Sequence, residues 1–302
     1  MYLRHHKKAS QLDSETLGII YGFLGVLGFS LTLPATRVAV SELDPVIVGL
    51  GRAFVAAIPA IVLLWITRQP LPSRKQLKSL LVVVAGVILG FPLLSAWAMQ
   101  RLPASHGAVV LGLLPLATAI AGTIRVGDRP SRAFWLASAV GSVTVVSFGF
   151  ITGAGLQAAD IALLGAVIAA AMSYAEGGRL ARVLGGWQVI SWALVLAAPL
   201  VFLPATMAVL QHGLVASPLA WLGFGYVSFI SQFIAFFAWY QGLAIGGVAR
   251  VGQIQLLQPF LTILFSAMLL GEKISLITLA ATVIVVASVA LGKRASIKRR
   301  QF

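Results

Sequence analysis

Long runs of apolar residues dominate the pattern of this chain, and short polar or charged segments separate them. Each run is about twenty residues long, the length that an α-helix needs to cross a bilayer. The runs lack the two-residue alternation of membrane β-strands. The ten predicted spans cover residues 16–40, 45–67, 77–100, 103–124, 132–151, 159–179, 187–208, 218–243, 247–270 and 274–292.

One segment of the chain occurs twice, first from Pro103 to Ser131 and again from Gly247 to Ser275. Matching residues differ by 144 positions in every case: Pro115 and Pro259, Thr118 and Thr262, Gly127 and Gly271, Asp128 and Glu272, Ser131 and Ser275. A shared offset indicates internal duplication. Because the offset covers an odd number of predicted spans, the second copy is expected to be inverted. The sequence thus predicts an all-α polytopic membrane protein with ten transmembrane helices in two inverted five-helix repeats, residues 1–152 and 153–302.

Composition and charge fit this class of protein. Hydrophobic residues make up 59% of the chain and charged residues only 10%, unlike a soluble domain. The net charge is +14, but the basic residues concentrate in the loops and tails on one side of the predicted bundle. By the positive-inside rule, both termini are expected in the cytoplasm of a bacterial cell, with the protein in the inner membrane. The basic tails favour contact with anionic lipids rather than with nucleic acid.

The repeated segments also resemble the EamA branch of the drug/metabolite transporter superfamily. The resemblance rests on residues 108–131 and 249–275, in which a proline lies mid-helix and a Gly-acid pair follows, as in Gly271 and Glu272. Arg37 and Arg52 match the family's two cationic positions, whereas Gly28 and Phe29 replace its Trp-Gly pair. The resemblance implies two inverted five-helix repeats, with a YddG-type exporter of aromatic amino acids as the closest named possibility.

Polar residues at mid-membrane depth are the candidates for solute binding. Gln255, Gln258 and Thr262 share one face of the ninth predicted span. A second stripe on the eighth span consists of Ser228, Ser231, Gln232, Ala235 and Trp239, and Trp97 and Tyr174 offer further aromatic walls. These groups either bind a solute or hold neighbouring helices together by hydrogen bonds and packing.

Arg52 is a further candidate because it falls inside the second predicted span. Its guanidinium either binds a substrate carboxylate or serves the fold, by reaching outward to water or by pairing with Glu42 or Asp44 in the loop before it.

Three prolines are expected to act as gating hinges: Pro92, Pro115 and Pro259. Each lies inside a predicted span, where proline removes a backbone hydrogen bond and permits a kink. Pro115 and Pro259 occupy corresponding places in the two repeats, which suits a motion that alternates the access of a central cavity.

Several function classes are disfavoured by residues that the sequence lacks. It contains no cysteine, no phosphate-binding loop and no His-Glu-x-x-His motif. We therefore expect no enzyme activity, no cofactor and no metal. No carboxylate is predicted at the midplane, which disfavours proton antiport of cationic drugs.

The sequence favours a secondary transporter that exports small metabolites by alternating access, with amino acids that carry aromatic or apolar side chains as the preferred solutes. Alternatives are an exporter of drugs, nucleosides or sugars, and a lipid scramblase or channel that uses the same polar stripes. The expected partners are the small-molecule substrate and membrane lipids, and the expected state is a monomer or weak homodimer.

Overall fold

A computed structural model describes residues 2–126, 132–152, 157–247, 251–252 and 254–294. The described part is helical throughout. The α-helices are α1 (Tyr2–Ser30), α2 (Thr32–Val40), α3 (Arg52–Ile66), α4 (Arg74–Val83), α5 (Phe91–Met99), α6 (Ala104–Leu111), α7 (Leu114–Val126), α8 (Arg132–Thr152), α9 (Ala158–Leu184), α10 (Gly186–His212), α11 (Pro218–Gly225), α12 (Ala235–Gly246), α13 (Gln258–Leu270) and α14 (Leu276–Arg294). The repeat residues Gly127, Asp128 and Ser131 lie outside the described residues.

Seven helical runs in the described residues are long and apolar enough to cross a membrane. They cover Thr16–Val40, Ile47–Ile66, Arg74–Met99, Ala104–Gly122, Ala158–Leu184, Gly186–His212 and Pro218–Gly246. Three shorter apolar helices, Ala139–Phe148, Ile254–Leu270 and Leu276–Ser288, fall within the fifth, ninth and tenth predicted spans. A multi-pass membrane protein is thus confirmed, while the full count of ten crossings and the inversion of the repeats stay predictions.

Several of these runs are not continuous α-helix. Three contain π-helical turns, at Ile47–Gly51, Val84–Gly90 and Tyr226–Ile234, and a 3-10 turn at Ile254–Leu257 precedes α13. Short turns also separate α1 from α2 at residue 31 and α6 from α7 at residues 112–113. Irregular backbone at membrane depth is tolerated where it is buried in protein or lines a cavity. The interruptions therefore mark the part of the bundle where a site is to be sought.

The first and eighth predicted spans pack closely through glycine. A Cβ added to Gly242 in α12 would lie 2.7 Å from the backbone nitrogen of Gly22 in α1, and one added to Gly18 would lie 2.6 Å from the Cα of Gly246. Small residues at such a crossing let two helix backbones come together and gain dispersion contacts. The contact joins the first half of the chain to the second.

Loop carboxylates also form hydrogen bonds between the two halves of the chain, at the end of the bundle that is predicted to face outward. Glu42 accepts hydrogen bonds from the backbone and side chain of Ser217, both at 2.6 Å, just before α11. Glu272 accepts from the backbone nitrogens of Ala104 and Ser105, both at 2.9 Å, in the first turn of α6. Because helix N-termini carry unpaired N–H groups and a partial positive charge, each carboxylate caps a helix of the other half.

Candidate functional site

A small cavity lies where the interrupted helices meet. Six polar side chains contribute to its lining: Thr32, Arg52, Tyr174, Ser231, Gln232 and Gln258. The remaining wall consists of Phe29, Val87, Phe91, Leu114 and Phe236. The free space is about 10 Å³ and holds about one water molecule. In this conformation the free space is too small for a larger solute, whose binding requires the surrounding helices to move.

Arg52 is the only charged residue among the side chains that line this cavity. Its side chain is 1% exposed, and its Nε and Nη1 atoms have no hydrogen-bond partner among the described residues. The loop carboxylates that the sequence offered as partners are engaged elsewhere. Glu42 binds Ser217, and Asp44 accepts from the backbone of Val46 and lies 3.7 Å from His212. The cavity thus holds a buried cation with free donors, an arrangement that is costly unless an anion binds it.

The other polar groups of the cavity differ in how fully they are satisfied. The hydroxyls of Thr32 and Ser231 lie 2.8 Å apart, and Gln232 Nε2 donates to the carbonyl oxygen of Val87 at 3.0 Å. Gln258 is 5% exposed, and its Oε1 has no partner among the described residues. Thr32–Ser231 and Gln232–Val87 both join the two halves of the chain. The site therefore combines interhelical hydrogen bonds with an unsatisfied acceptor and unsatisfied donors.

Irregular backbone adjoins most of this lining. Thr32, Arg52, Leu114 and Gln258 each come directly after an interruption, and Val87, Ser231 and Gln232 lie inside π-helical turns. π-Helical turns are rare overall, but many of those that occur lie at functional sites, since they displace side chains from the regular helical register. Tyr174 differs, because it lies within the unbroken helix α9.

Val87 and Ser231 show that the internal duplication extends beyond the segments that revealed it. They differ by 144 positions, the offset found in the sequence, and both lie in π-helical turns and line the cavity. The first half offers a valine where the second offers a serine. The two halves thus contribute equivalent positions with different chemistry, and the cavity has an apolar and a polar part.

Aromatic rings form the apolar part of the cavity and its surroundings. The ring of Phe29 lies 4.8 Å from that of Phe236 and 6.2 Å from that of Tyr174, measured between centroids. Trp239 is fully buried behind them, with its ring centre 5.5 Å from that of Tyr174. Such a cluster suits an apolar or aromatic group of a solute.

The structure brings together four of the residues predicted to bind substrate: Arg52, Tyr174, Gln232 and Gln258. The others lie outside the lining. Ser228 donates to the Phe224 carbonyl oxygen of its own helical run, and Thr262 donates to that of Ser30.

Three predicted residues remain, and none of them lines the cavity. Gln255 and Trp239 are buried, each with side-chain polar atoms that lack a partner among the described residues. Trp97 is half-buried near the end of α5, where the guanidinium carbon of Arg101 lies 4.0 Å from its ring centre. For Trp97 the structure favours a surface cation–π contact over a cavity wall.

Thr32 and Phe29 are lining residues that the sequence did not single out. Thr32 is a lone hydroxyl in an apolar run, and the break at residue 31 that turns it toward the cavity has no clear sequence signal. Ser231 lay on the predicted stripe of the eighth span, between Ser228 and Gln232.

The three predicted hinge prolines share one position. Pro92, Pro115 and Pro259 are each the second residue of an α-helix, namely α5, α7 and α13. Pro115 follows the turn at residues 112–113 and Pro259 follows the 3-10 turn, so these two prolines begin new helical segments, where proline is well tolerated. Pro92 differs, because α5 continues the helical run Arg74–Met99 directly from a π-helical turn. The role of the three prolines in gating stays a prediction.

A second, larger cavity of about 280 Å³ lies between α3, α10 and α11. Phe54, Phe202 and Trp221 are among its lining residues, and its surface is almost entirely apolar. It offers no charged group, so it lacks the means to orient a polar solute.

Comparisons with known proteins agree with a multi-pass membrane transporter. The EamA-like transporter family matches the chain twice, over residues 16–149 and 157–292. The chain belongs to this family. An uncharacterized transporter of Bacillus subtilis strain 168, YdeK, is 46% identical over 285 residues, which cover 94% of this chain and 99% of YdeK. A solved crystal structure of a protein with no stated activity shares the fold, with a TM-score of 0.64, 18% identity and coverage of 92% of this chain and 96% of that one.

Proposed function

We propose that this protein is a secondary transporter that exports small metabolites across the cytoplasmic, or inner, membrane of a bacterium, with both termini in the cytoplasm. Its solutes are amino acids with aromatic or apolar side chains. The observation that carries the proposal is the small cavity beside Arg52, which joins a buried cation and amide groups to an aromatic wall. Amino acids have this division into a charged end and an apolar end.

The contacts around the cavity support alternating access between the two halves. Side chains from both halves meet there, as in the Thr32–Ser231 and Gln232–Val87 contacts. Discontinuous helices at the centre of the bundle are a recurring feature of secondary transporters, in which two repeats rock around a fixed site. The proline-led helices α5, α7 and α13 are the elements that we propose to move.

Solute counterflow in proteoliposomes tests this proposal. Vesicles that contain the protein are loaded with unlabelled phenylalanine, and uptake of labelled phenylalanine from outside is followed. A carrier is expected to show faster uptake into loaded vesicles than into empty ones, because the occupied site returns more readily than the empty one. Equal uptake in both, in proportion to the gradient, would indicate a channel. Movement of labelled lipid without counterflow of solute would indicate a scramblase.

A further inference from the structure

The positive charge of Arg52 has no carboxylate partner among the described side chains. Besides Glu42 and Asp44, the described carboxylates with placed side chains are Asp160, Glu176 and Glu272. They are bound to His106 at 2.6 Å, to Arg179 at 2.5 Å and to the first turn of α6. None of the five lines the cavity. Because a guanidinium keeps its proton under ordinary conditions, the empty cavity carries one positive charge.

The arrangement of the unpaired N–H groups of Arg52 indicates which anion the cavity can bind. Nε and Nη1 of the planar guanidinium both lack a partner among the described residues. Each of them forms a pair of parallel N–H donors with Nη2, and a carboxylate matches either pair with two parallel, charge-assisted hydrogen bonds. The Oε1 atom of Gln258 cannot serve the same anion, since it only accepts hydrogen bonds, but it suits a hydroxyl, an N–H or a bridging water.

An ammonium group has no anionic partner among the side chains that line this cavity. The side-chain oxygens of Gln258, Gln232, Ser231, Thr32 and Tyr174 are all neutral. A second cation near Arg52 is repelled, and the repulsion is strong at low dielectric constant. The amino group of an amino acid is tolerated because its own carboxylate accompanies it, but it adds little to binding.

We infer that the cavity selects amphiphilic monocarboxylates, and that a solute needs the carboxylate and the apolar group but not the amino group. The carboxylate pairs with Arg52, while the apolar group lies against Phe29, Phe91 and Phe236. Aryl and alkyl carboxylic acids and 2-oxo acids are then solutes alongside amino acids, and free amines are not. This inference rests on the proposed carrier function, because it specifies which solutes the same site takes.

A series of four solutes with one phenyl ring tests the inference by thermal unfolding of the purified protein in detergent. The series is 3-phenylpropanoate, phenylalanine, phenylalaninamide and 2-phenylethylamine, and the seven tryptophans supply the fluorescence signal. The first two are expected to raise Tm in a concentration-dependent way, and the last two are not. An equal or larger rise with 2-phenylethylamine, or no rise with 3-phenylpropanoate, would overturn the inference.

Two variants of Arg52 test the proposed contact between its guanidinium and the solute carboxylate. Arg52→Gln is expected to weaken 3-phenylpropanoate binding by about tenfold to a hundredfold, since two charge-assisted bonds are lost. Arg52→Lys retains the positive charge but not the planar pair of N–H donors, and it is expected to lose less affinity for 3-phenylpropanoate. Unchanged carboxylate affinity in folded Arg52→Gln would contradict the inference. Should neither variant fold, the solute series on the wild-type protein still decides.

Counterflow with the same four solutes separates this inference from the proposed function. Counterflow of phenylalaninamide and 2-phenylethylamine, without counterflow of 3-phenylpropanoate and phenylalanine, would overturn the carboxylate requirement. It would still support the carrier function. Carboxylate-dependent rises in Tm without counterflow of any solute would support the requirement and contradict the carrier.

Discussion

Leu114 and Gln258 line the same cavity from opposite halves of the chain, and each directly precedes the proline that is the second residue of its helix. They differ by 144 positions, as do their prolines. At this pair of equivalent positions one half supplies a hydrocarbon and the other an amide. The duplication thus gives the cavity a symmetric frame, and later divergence of single residues gives it a polar and an apolar part.

Gln258→Leu places in the second half the residue that the first half already carries there. The substitution removes an amide whose Oε1 is buried without a partner among the described residues, so thermal stability is expected to stay equal or rise. Solute affinity is expected to fall by about tenfold, because the amide no longer contacts the bound solute. Counterflow and Tm measured on the same preparation check this. A loss of Tm that parallels the loss of transport would instead assign Gln258 to the fold.

Gly242→Ala tests the crossing between α1 and α12. The new Cβ would lie 2.7 Å from the backbone nitrogen of Gly22, and backbone has little freedom to shift, so a loss of about 1–3 kcal/mol is expected. Gly225→Ala is the matched control, since a Cβ there meets nothing within 4 Å. Thermal unfolding should separate the two variants clearly. Equal Tm values would mean that the helices cross less closely.

Pro259→Ala tests the proposed hinge. Proline at the second position of α13 costs no helical hydrogen bond, so its replacement is expected to lower stability only slightly, by about 0.4–1 kcal/mol. The exchange rate in counterflow is expected to change more than solute affinity, because the helix start moves during access. Pro204→Ala in α10 is the control, as Pro204 lies inside that helix and does not line the cavity. The same rate change in both variants would argue against a specific hinge.

The contact between Glu42 and Ser217 predicts a pH dependence at the outer end. The Ser217 hydroxyl, and then its backbone N–H, lower the pKa of Glu42 from the ordinary value of 4.5. A carboxyl whose pKa is lower in the folded state stabilises the fold above the ordinary value, and this contribution is lost as pH falls through the lowered one. The Tm advantage of the wild-type protein over Glu42→Gln is therefore expected at pH 7 and should shrink as pH falls below 4.5. An advantage independent of pH would contradict this account. The effect is small, because Glu42 is exposed to solvent.

The sequence predicted the membrane class, the duplication and the polar core of the site, since all three depend on hydrophobicity and spacing. Arg52, Gln232 and Gln258 are polar residues in apolar runs, and the sequence alone shows that contrast. Of the predicted face of the ninth span, Gln255, Gln258 and Thr262, only one residue lines the cavity. Gln258 lines the cavity, whereas Thr262, one turn further along the same regular helix, donates to the carbonyl oxygen of Ser30. Gln255 lies in the 3-10 turn before α13, outside that helix's register.

Backbone interruptions account for most of what the sequence did not predict. The π-helical turn at 226–234 alters which residues of the eighth span share a face, so Ser231 and Gln232 line the cavity while Trp239 packs behind it. Such turns depend on tertiary contacts and leave little trace in local propensity. For the same reason, Thr32 owes its place in the lining to a break that the apolar pattern conceals.

A crystal structure with bound 3-(4-bromophenyl)propanoate tests the central claim most directly, because the bromine can be located by its anomalous scattering. We predict the bromine near Phe29 and Phe236, and the two carboxylate oxygens about 2.7–2.9 Å from Nη2 and from one of Nε and Nη1 of Arg52. Bromine found only in the apolar cavity beside Phe54, Phe202 and Trp221, with Arg52 unliganded, would contradict the account.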